Sequence, residues 1–343
     1  MKIKVSIIGA TGYTGAELVK ILLKHPKVEI VKVTSQSFAG KRISEIYPFL
    51  HTSLTCEELN IDEISSSSSF IFTALPHTVA MGIIGSLYAR EKKIVDLSAD
   101  FRLKDSLVYE EWYKTPHKEK KLLKEAVYGL PELNRDEIKR AHLVANPGCY
   151  PTAIILALAP ALKNNLIKED NIIIDAKSGV SGAGRTLSLM THFPEINENL
   201  LAYKVEGHRH LPEMEQELSI LAQKRVKIIF VPHLVPLNRG IFATCYTSLR
   251  HPLRYEEVRQ VYKDFYQEEP FIEILDEGKF PQIKEVSGSN RCRIGLMVDK
   301  EKKHLLIISV LDNLVKGASG QAVQNMNIMC NFEEKMGLEG GLS

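Results

Sequence analysis

Ile7-Ile8-Gly9-Ala10-Thr11-Gly12-Tyr13-Thr14-Gly15-Ala16-Glu17-Leu18 joins a short apolar strand, Lys2–Ile8, to a helix predicted over Gly15–Lys24. Gly9 permits a tight turn, Gly12 lets backbone approach a pyrophosphate, and Gly15 allows helix and strand to pack closely. The phosphate charge then meets the helix N-terminus. A glycine pattern alone also describes a plain structural turn, but here strand, turn and helix stand in the required order. Working outward, Val28–Thr34, Phe70–Ala74, Ile94–Leu97 and Leu143–Ala145 read as buried strands, with helices over Thr78–Glu91 and Arg135–Arg140. Continuous apolar strands alternating with helices predict a parallel sheet covered on both faces.

The end of the second strand decides the cofactor. An NAD site usually carries Asp or Glu there for the ribose hydroxyls, whereas this chain has Thr34-Ser35-Gln36-Ser37 followed by Lys41 and Arg42. No carboxylate would repel a 2′-phosphate, and Ser35, Ser37, Lys41 and Arg42 can bind one. The expected cofactor is NADP(H), held by these four and by Gly9, Thr11, Gly12, Tyr13, Thr14 and Gly15; a solvated loop is the plain alternative for the four. From about Asn171 the pattern changes. Ile172–Ala176, Ile228–Val235, Ile241–Leu249 and His304–Val310 are strands with few helices between them, only Pro212–Lys224 and Tyr255–Tyr266. That predicts a second domain with a mixed, largely antiparallel sheet. A last helix over Gly317–Asn331 has apolar residues at helical spacing that suit either domain.

The 343 residues carry 44 Lys and Arg against 42 Asp and Glu, a net charge of +2, with no basic cluster interleaved by aromatics. Nucleic acid and membrane surfaces are therefore not expected partners, and no apolar run approaches the about 18 residues of a membrane span. The N-terminus enters a strand directly, with no apolar signal region ahead of it. Five scattered cysteines with no CxxC pair predict unbridged thiols in a reducing cytoplasm and neither zinc site nor disulfide framework. Ser65–Ser69 reads as an exposed turn, and Trp112 with the Lys118–Lys124 run as a solvated excursion.

One of those cysteines stands apart. Asn146-Pro147-Gly148-Cys149-Tyr150-Pro151-Thr152 places Cys149 where a strand gives way to a helix, with Pro151 suited to the first helical position. Unpaired backbone N–H groups and the positive end of the helix dipole favour the thiolate there; a buried structural cysteine is the plain alternative. Cys56, Cys245, Cys292 and Cys330 lack that context and read as structural. A pyridine nucleotide with a thiolate and a histidine suggests chemistry at the acyl level, through a thioester reduced to an aldehyde. His208, on the loop Glu206-Gly207-His208-Arg209-His210 before a Pro-initiated helix, is the candidate acid/base. His208 and His210 lack a third ligand at suitable spacing, so no metal is expected.

The resemblance becomes specific across Gly9–Gly15, Ala74-Leu-Pro-His77, Asp96-Leu-Ser-Ala-Asp-Phe-Arg102, Gly129-Leu-Pro-Glu132, Ala145–Thr152, Lys177–Arg185, Gly207–His210, Val231-Pro-His-Leu-Val-Pro236 and Asp312–Gln321. In that order these segments resemble the N-acetyl-gamma-glutamyl-phosphate reductases of arginine biosynthesis, within the wider aspartate-semialdehyde dehydrogenase superfamily. The resemblance covers nearly the whole chain. It implies NADPH-dependent reduction of N-acetyl-L-glutamyl 5-phosphate to N-acetyl-L-glutamate 5-semialdehyde with release of phosphate, His208 taking the thiol proton and later returning one. It further implies that the last helix returns to the first domain, that Asn313, Lys316 and Gly317 lie near the nicotinamide, and that the second domain's sheet builds a homodimer or homotetramer. The expected architecture is α/β: a Rossmann-type parallel-sheet NADP-binding domain over residues 1–148 plus about 314–343, and an α+β catalytic and dimerisation domain with a mixed sheet over 149–313.

Arg102, after the fourth strand, is a candidate phosphate clamp with Asn146 as a neutral helper; a surface ion pair with Asp100 or Asp105 is its alternative. Ser178 and Gly179, in a donor-rich loop, and Pro76 and His77 are candidates beside the cofactor, although an ordinary connection and a packing histidine read equally well. Arg209 and His210 are candidates for the acetamido and carboxylate groups. Two rival functions share the pattern. One is reduction of a carrier-bound aminoadipyl phosphate in lysine biosynthesis, which would want a basic docking surface; the other is a non-catalytic NADP-binding regulator.

Overall fold

The computed structural model describes residues 2–299, 301 and 303–339. It divides into two compact units, one running to Pro147 and resuming at Ala318, the other spanning Gly148–Gly317.

The first unit holds β1 (Ile3–Ile8), β2 (Val28–Thr34), β3 (Cys56–Glu57), β4 (Phe70–Thr73), β5 (Lys93–Asp96), β6 (Val127–Tyr128) and β7 (Leu143–Ala145). They form one sheet in the order β3-β2-β1-β4-β5-β7-β6, and every pairing is parallel. The strands are apolar because both faces are covered; Val5, Ile7, Phe70, Phe72, Ile94 and Val95 are at most 1% exposed. β3 and β6, two residues each, are too short to show a period and were not expected. Two other expectations fail. Ser65, Ser66 and Ser67 of the serine run close a helix, Ile61–Ser67, capped by the Asn60 side chain, with Ser65 buried; Ser68 and Ser69 follow it. The predicted excursion is two helices, Ser106–Tyr113 and Lys120–Glu125, with Leu122 and Leu123 buried and Trp112 packed on a cluster containing Phe101 and Tyr109.

The last helix, Gly320–Met329, belongs to this unit, and all ten of its residues are buried. Four are amides, so each must find partners to offset lost hydration. Asn325 Nδ2 donates to Gly129 O at 2.8 Å, Gln324 Nε2 to Glu334 Oε1 at 2.7 Å, and Asn327 Nδ2 to Met336 O at 2.9 Å.

The second unit holds β8 (Ile172–Gly179), β9 (Leu201–Ala202), β10 (Ile228–Val235), β11 (Ile241–Ser248), β12 (Ile272–Ile274), β13 (Cys292–Asp299) and β14 (His304–Leu311). Their order is β12-β13-β14-β11-β8-β10-β9, with β8 and β10 parallel and β8, β11, β14 and β13 antiparallel in turn. β13 was not expected: Arg293 and Gly295 interrupt its apolar pattern, yet eight residues pair with β14. The helix Cys149–Lys163 covers one face, with residues 150–162 all buried. Pro160 inside it cannot donate to Leu156 O, and Tyr266 Oη supplies that bond at 2.6 Å while Tyr262 Oη reaches Ala157 O at 2.7 Å. On the opposite face the register aligns Ile229, Ile173, Tyr246, Leu306 and Met297 in one row across five strands. Four of these large side chains are 37–57% exposed.

Candidate active site and cofactor cradle

In the first unit the β1 turn has the strained geometry that only glycine tolerates. Gly9 has φ +86°, and a Cβ there would lie 2.5 Å from Ala74 O; one on Gly15 would lie 2.3 Å from Gly9 O. The helix Tyr13–Leu23 begins at Gly12 with no side-chain cap and no acidic residue in its first turn, leaving its leading N–H groups for an anion. Thr11 Oγ1 and Ser35 Oγ lie 2.7 Å apart and both residues are buried, so Ser35 braces the turn. Tyr47 Oη donates to Thr11 O at 2.9 Å, and Ser319 Oγ to Thr14 O at 2.8 Å. Ser37, Lys41 and Arg42 are exposed, with Lys41 Nζ 5.9 Å from the Phe38 ring. A glycine turn, an uncapped helix start and two open cations fit a dinucleotide bearing an extra phosphate.

The Asp96–Arg102 segment is scaffolding for that cradle. Asp100 accepts from Thr78 N at 2.7 Å, Met81 N at 3.0 Å and Tyr109 Oη at 2.7 Å. It thereby holds Thr78, a β-branched residue, at φ +71° beside Pro76 and His77. Pro76 is exposed, whereas His77 is half-buried, accepting from Ala99 N at 3.2 Å and meeting the Tyr113 ring edge-on. Asp96 accepts from Thr73 Oγ1 and Ser98 Oγ, both at 2.6 Å; burial, then the neighbouring Asp100, pushes its carboxyl up to about 6.

Two expectations change here. Arg102 is 5% exposed and donates to Asn146 O at 2.8 Å and Leu97 O at 2.9 Å, so it is no surface ion pair, and these donors are committed to backbone. Asn146 is 1% exposed; its Oδ1 accepts from Asn325 at 3.1 Å and its Nδ2 donates to Ala318 O at 3.1 Å. Its amide thus shapes the turn from within.

In the second unit the helix starts at Cys149 itself, so Pro151 is its third residue, not its first. Gly148 caps the helix without a side chain, and the thiol is half-buried. Neighbours press on the turn from three directions. A Cβ on Gly148 would lie 2.5 Å from His210 Nε2, and one on Gly317 would lie 2.8 Å from Cys149 Cβ. Glu213, 2% exposed, accepts from Gly148 N at 2.9 Å. The Tyr150 ring meets His208 and His210 edge-on at 5.6 and 6.1 Å between centroids.

His208 stands among Tyr150, Tyr203, His210 and Phe230, and its Nδ1 accepts from His210 N at 3.1 Å. Burial, with the Lys204 and Arg209 cations adding to it, pushes its pKa down to about 3. The ring is therefore neutral with its proton on Nε2.

The other expected residues sort plainly. Arg209 is exposed near His208, and His210 lies against the turn before Cys149 rather than out in solvent. Ser178 is 1% exposed and donates to Gly179 O at 2.9 Å, while Gly179 packs on the Asn238–Arg239 backbone; both are interior. Asn313 spends its amide on Gly240 N at 2.7 Å and Ser181 Oγ at 2.9 Å. Lys316, expected beside the cofactor, is wholly enclosed in a π-helical turn with Nζ 5.8 Å from the Phe271 ring. Sequence reasoning missed Glu213, Lys204, Tyr150 and Tyr203. For Glu213 the one signal was its place in the first turn of a Pro-initiated helix, which reads equally as a dipole-favoured carboxylate.

Comparison with known proteins converges on one family. The model described as semialdehyde dehydrogenase, NAD binding domain, matches residues 4–141, and the one described as semialdehyde dehydrogenase, dimerisation domain, matches residues 149–313. The N-acetyl-gamma-glutamyl-phosphate reductase of Pelotomaculum thermopropionicum is 57% identical over 99% of both chains. That of Moorella thermoacetica is 52% identical over 98% of both. Among solved structures, aspartate semialdehyde dehydrogenase II from Vibrio cholerae superposes with a TM-score of 0.73 at 19% identity, covering 96% of this chain and 99% of that one. The Candida albicans aspartate semialdehyde dehydrogenase with NADP gives the same TM-score at 16% identity, covering 96% and 99%. A thiol at a helix start, a glycine turn shaped for pyrophosphate, and identity above half along nearly the full length place this chain in the N-acetyl-gamma-glutamyl-phosphate reductase family.

Proposed function

We propose that the protein reduces N-acetyl-L-glutamyl 5-phosphate to N-acetyl-L-glutamate 5-semialdehyde, releasing phosphate, with NADPH as reductant. The observation that carries this reading is Cys149 at the first position of its helix, half-exposed and flanked by His210, Gly317 and Tyr150. The helix dipole favours the thiolate. It attacks the acyl carbon, a C–S bond forms, and the C–O bond to phosphate breaks, leaving a thioester on Cys149. When held by the glycine cradle, NADPH would supply the hydride for reducing this thioester. Cleavage of the C–S bond then frees the aldehyde and returns the sulfur.

The cradle Gly9–Gly15 would hold the pyrophosphate, and Ser37, Lys41 and Arg42 would hold the 2′-phosphate, with Ser35 bracing the turn through Thr11. The expected outcome of a titration is markedly tighter binding of NADPH than NADH, and equal tightness would remove this assignment. Lys204 and Arg209 supply positive charge beside His208 for an anionic substrate. The role first expected of His208 is revised. With Nδ1 engaged and its pKa near 3 it is a poor acceptor for the thiol proton. It acts as a neutral Nε2–H donor toward oxygen at the reacting carbon. His210, its Nε2 against Gly148, is the ring placed to relay the thiol proton.

A homo-oligomer follows from the apolar row Ile229–Met297, read with the family model's description as a dimerisation domain. Among the described residues no helix is long and apolar enough to cross a membrane. The reducing cytoplasm is the compartment this reading assigns, because oxidation would disable the nucleophile. Incubation with acyl phosphate and no NADPH is expected to leave an acyl adduct on Cys149 by intact mass. In Cys149→Ser turnover is lost while NADPH binding stays. An unmodified thiol with full turnover in the serine variant would overturn the reading.

A further inference from the structure

We infer that Glu213 is a positioning residue for the Cys149 thiol, acting through the Gly148 N–H; the inference rests on Cys149 being the nucleophile. Gly148 is under two opposed demands. The His210 ring occupies the space of a Cβ, so only glycine fits. Glycine is also the most loosely constrained residue of a chain, and it stands directly before the group whose aim sets the reaction rate. No cap of its own is available, since Gly148 has no side chain and the helix start has no side-chain cap.

Glu213 supplies the missing constraint. Its Oε1 accepts from Gly148 N at 2.9 Å, and it is 2% exposed, so little water competes for the bond. The carboxylate is itself well anchored. It lies in the first turn of the helix Leu211–Ala222, next to Pro212, where φ is fixed and the helix dipole favours negative charge. Gly148 O is held as well, accepting from Thr152 N and Thr152 Oγ1, both at 2.9 Å. Both polar atoms of the Gly148 backbone are thus engaged, and Gly148 rests at φ −70°, ψ 159° with Cys149 next. His208 and His210 lie on the loop that leads into the Glu213 helix. One bond therefore registers the nucleophile's helix against the imidazole loop.

The test uses the intact protein and reads the thiol without substrate. Rates of Cys149 alkylation by iodoacetamide are measured across pH, with kcat and KM measured in parallel. Glu213→Gln keeps an accepting oxygen, whereas Glu213→Met fills similar volume and accepts no hydrogen bond. The expected result is that Glu213→Gln stays within a few-fold of the parent in both assays. Relative to Glu213→Gln, which has lost the same charge, Glu213→Met is expected to shift the alkylation profile to higher pH and to lose about 10–100-fold in kcat with KM little changed, the size associated with small misplacement of a reacting group. A profile in Glu213→Met that matches the parent, or a Gln variant as damaged as the Met variant, overturns the inference. A protein whose thiol behaves as expected but which turns over no acyl phosphate contradicts the reductase reading alone.

Discussion

Single residues in this chain are constrained by what lies against them rather than by their own chemistry. Gly148 and Gly317 are the sharpest cases, since a Cβ on either would come within 3 Å of His210 Nε2 or Cys149 Cβ. Gly148→Ala is expected to retain its fold by circular dichroism and to lose about 10²-fold in kcat, because the added methyl must displace the imidazole or the turn. Unchanged kcat would mean the ring moves aside without consequence. Cys149 itself was legible, because a lone cysteine before Pro151 at a strand-to-helix junction has a physical meaning. The fates of Asn146, Ser178 and Lys316 were not. Each is polar and sits in a motif, yet all three are buried and spend themselves on packing or internal bonds. Nothing in a residue's type says whether its polar atoms point toward a ligand or toward the backbone two strands away.

At the scale of elements, the helix Cys149–Lys163 shows how a local breach is repaired from a distance. Pro160 strips Leu156 O of its helical donor, and Tyr266 Oη, 106 positions downstream of Pro160, restores the bond. Tyr266→Phe leaves that carbonyl unpaired in an apolar setting, and a loss of about 1–3 kcal/mol is expected. Urea unfolding should show a lower midpoint with an unchanged slope; an unmoved midpoint would mean water reaches the carbonyl. Strands with a clear apolar run, β1, β2, β4, β8, β10, β11 and β14, were all readable from sequence. The two-residue strands β3, β6 and β9 carry no period, and β13 hides its own behind Arg293 and Gly295. In the first unit Ser65–Ser69 and Lys118–Lys124 look like solvent-exposed sequence. Ser65–Ser67 and Lys120–Lys124 lie in helices instead, with Ser65, Leu122 and Leu123 buried.

At the scale of the whole molecule, the second unit's sheet leaves a continuous apolar row uncovered. Scattered exposed leucines are ordinary, but five residues aligned across five paired strands form a surface suited to association. Tyr246→Lys, at the centre of the row, is expected to lower the mass measured by analytical ultracentrifugation. An unchanged mass would place the subunit interface elsewhere. The row is invisible in sequence because its members lie in β8, β10, β11, β13 and β14, and only register brings them level. The return of Gly320–Met329 to the first unit was likewise beyond periodicity, since a helix buried all round presents no polar face to declare its side.

The amino-acid order alone determined the parallel dinucleotide fold and the switch to a second sheet after Asn171, and it singled out the cations after the second strand and Cys149 as candidate site residues. Each depends on short-range rules: side-chain period, glycine sterics at a turn, and charge at a strand end. Tertiary structure decided the proton placement on His208, the clamp of Glu213 on Gly148, the rescue of Leu156 O and the buried fate of Asn146. Those depend on desolvation and on hydrogen bonds between residues far apart in the chain, quantities that exist only once the chain has folded.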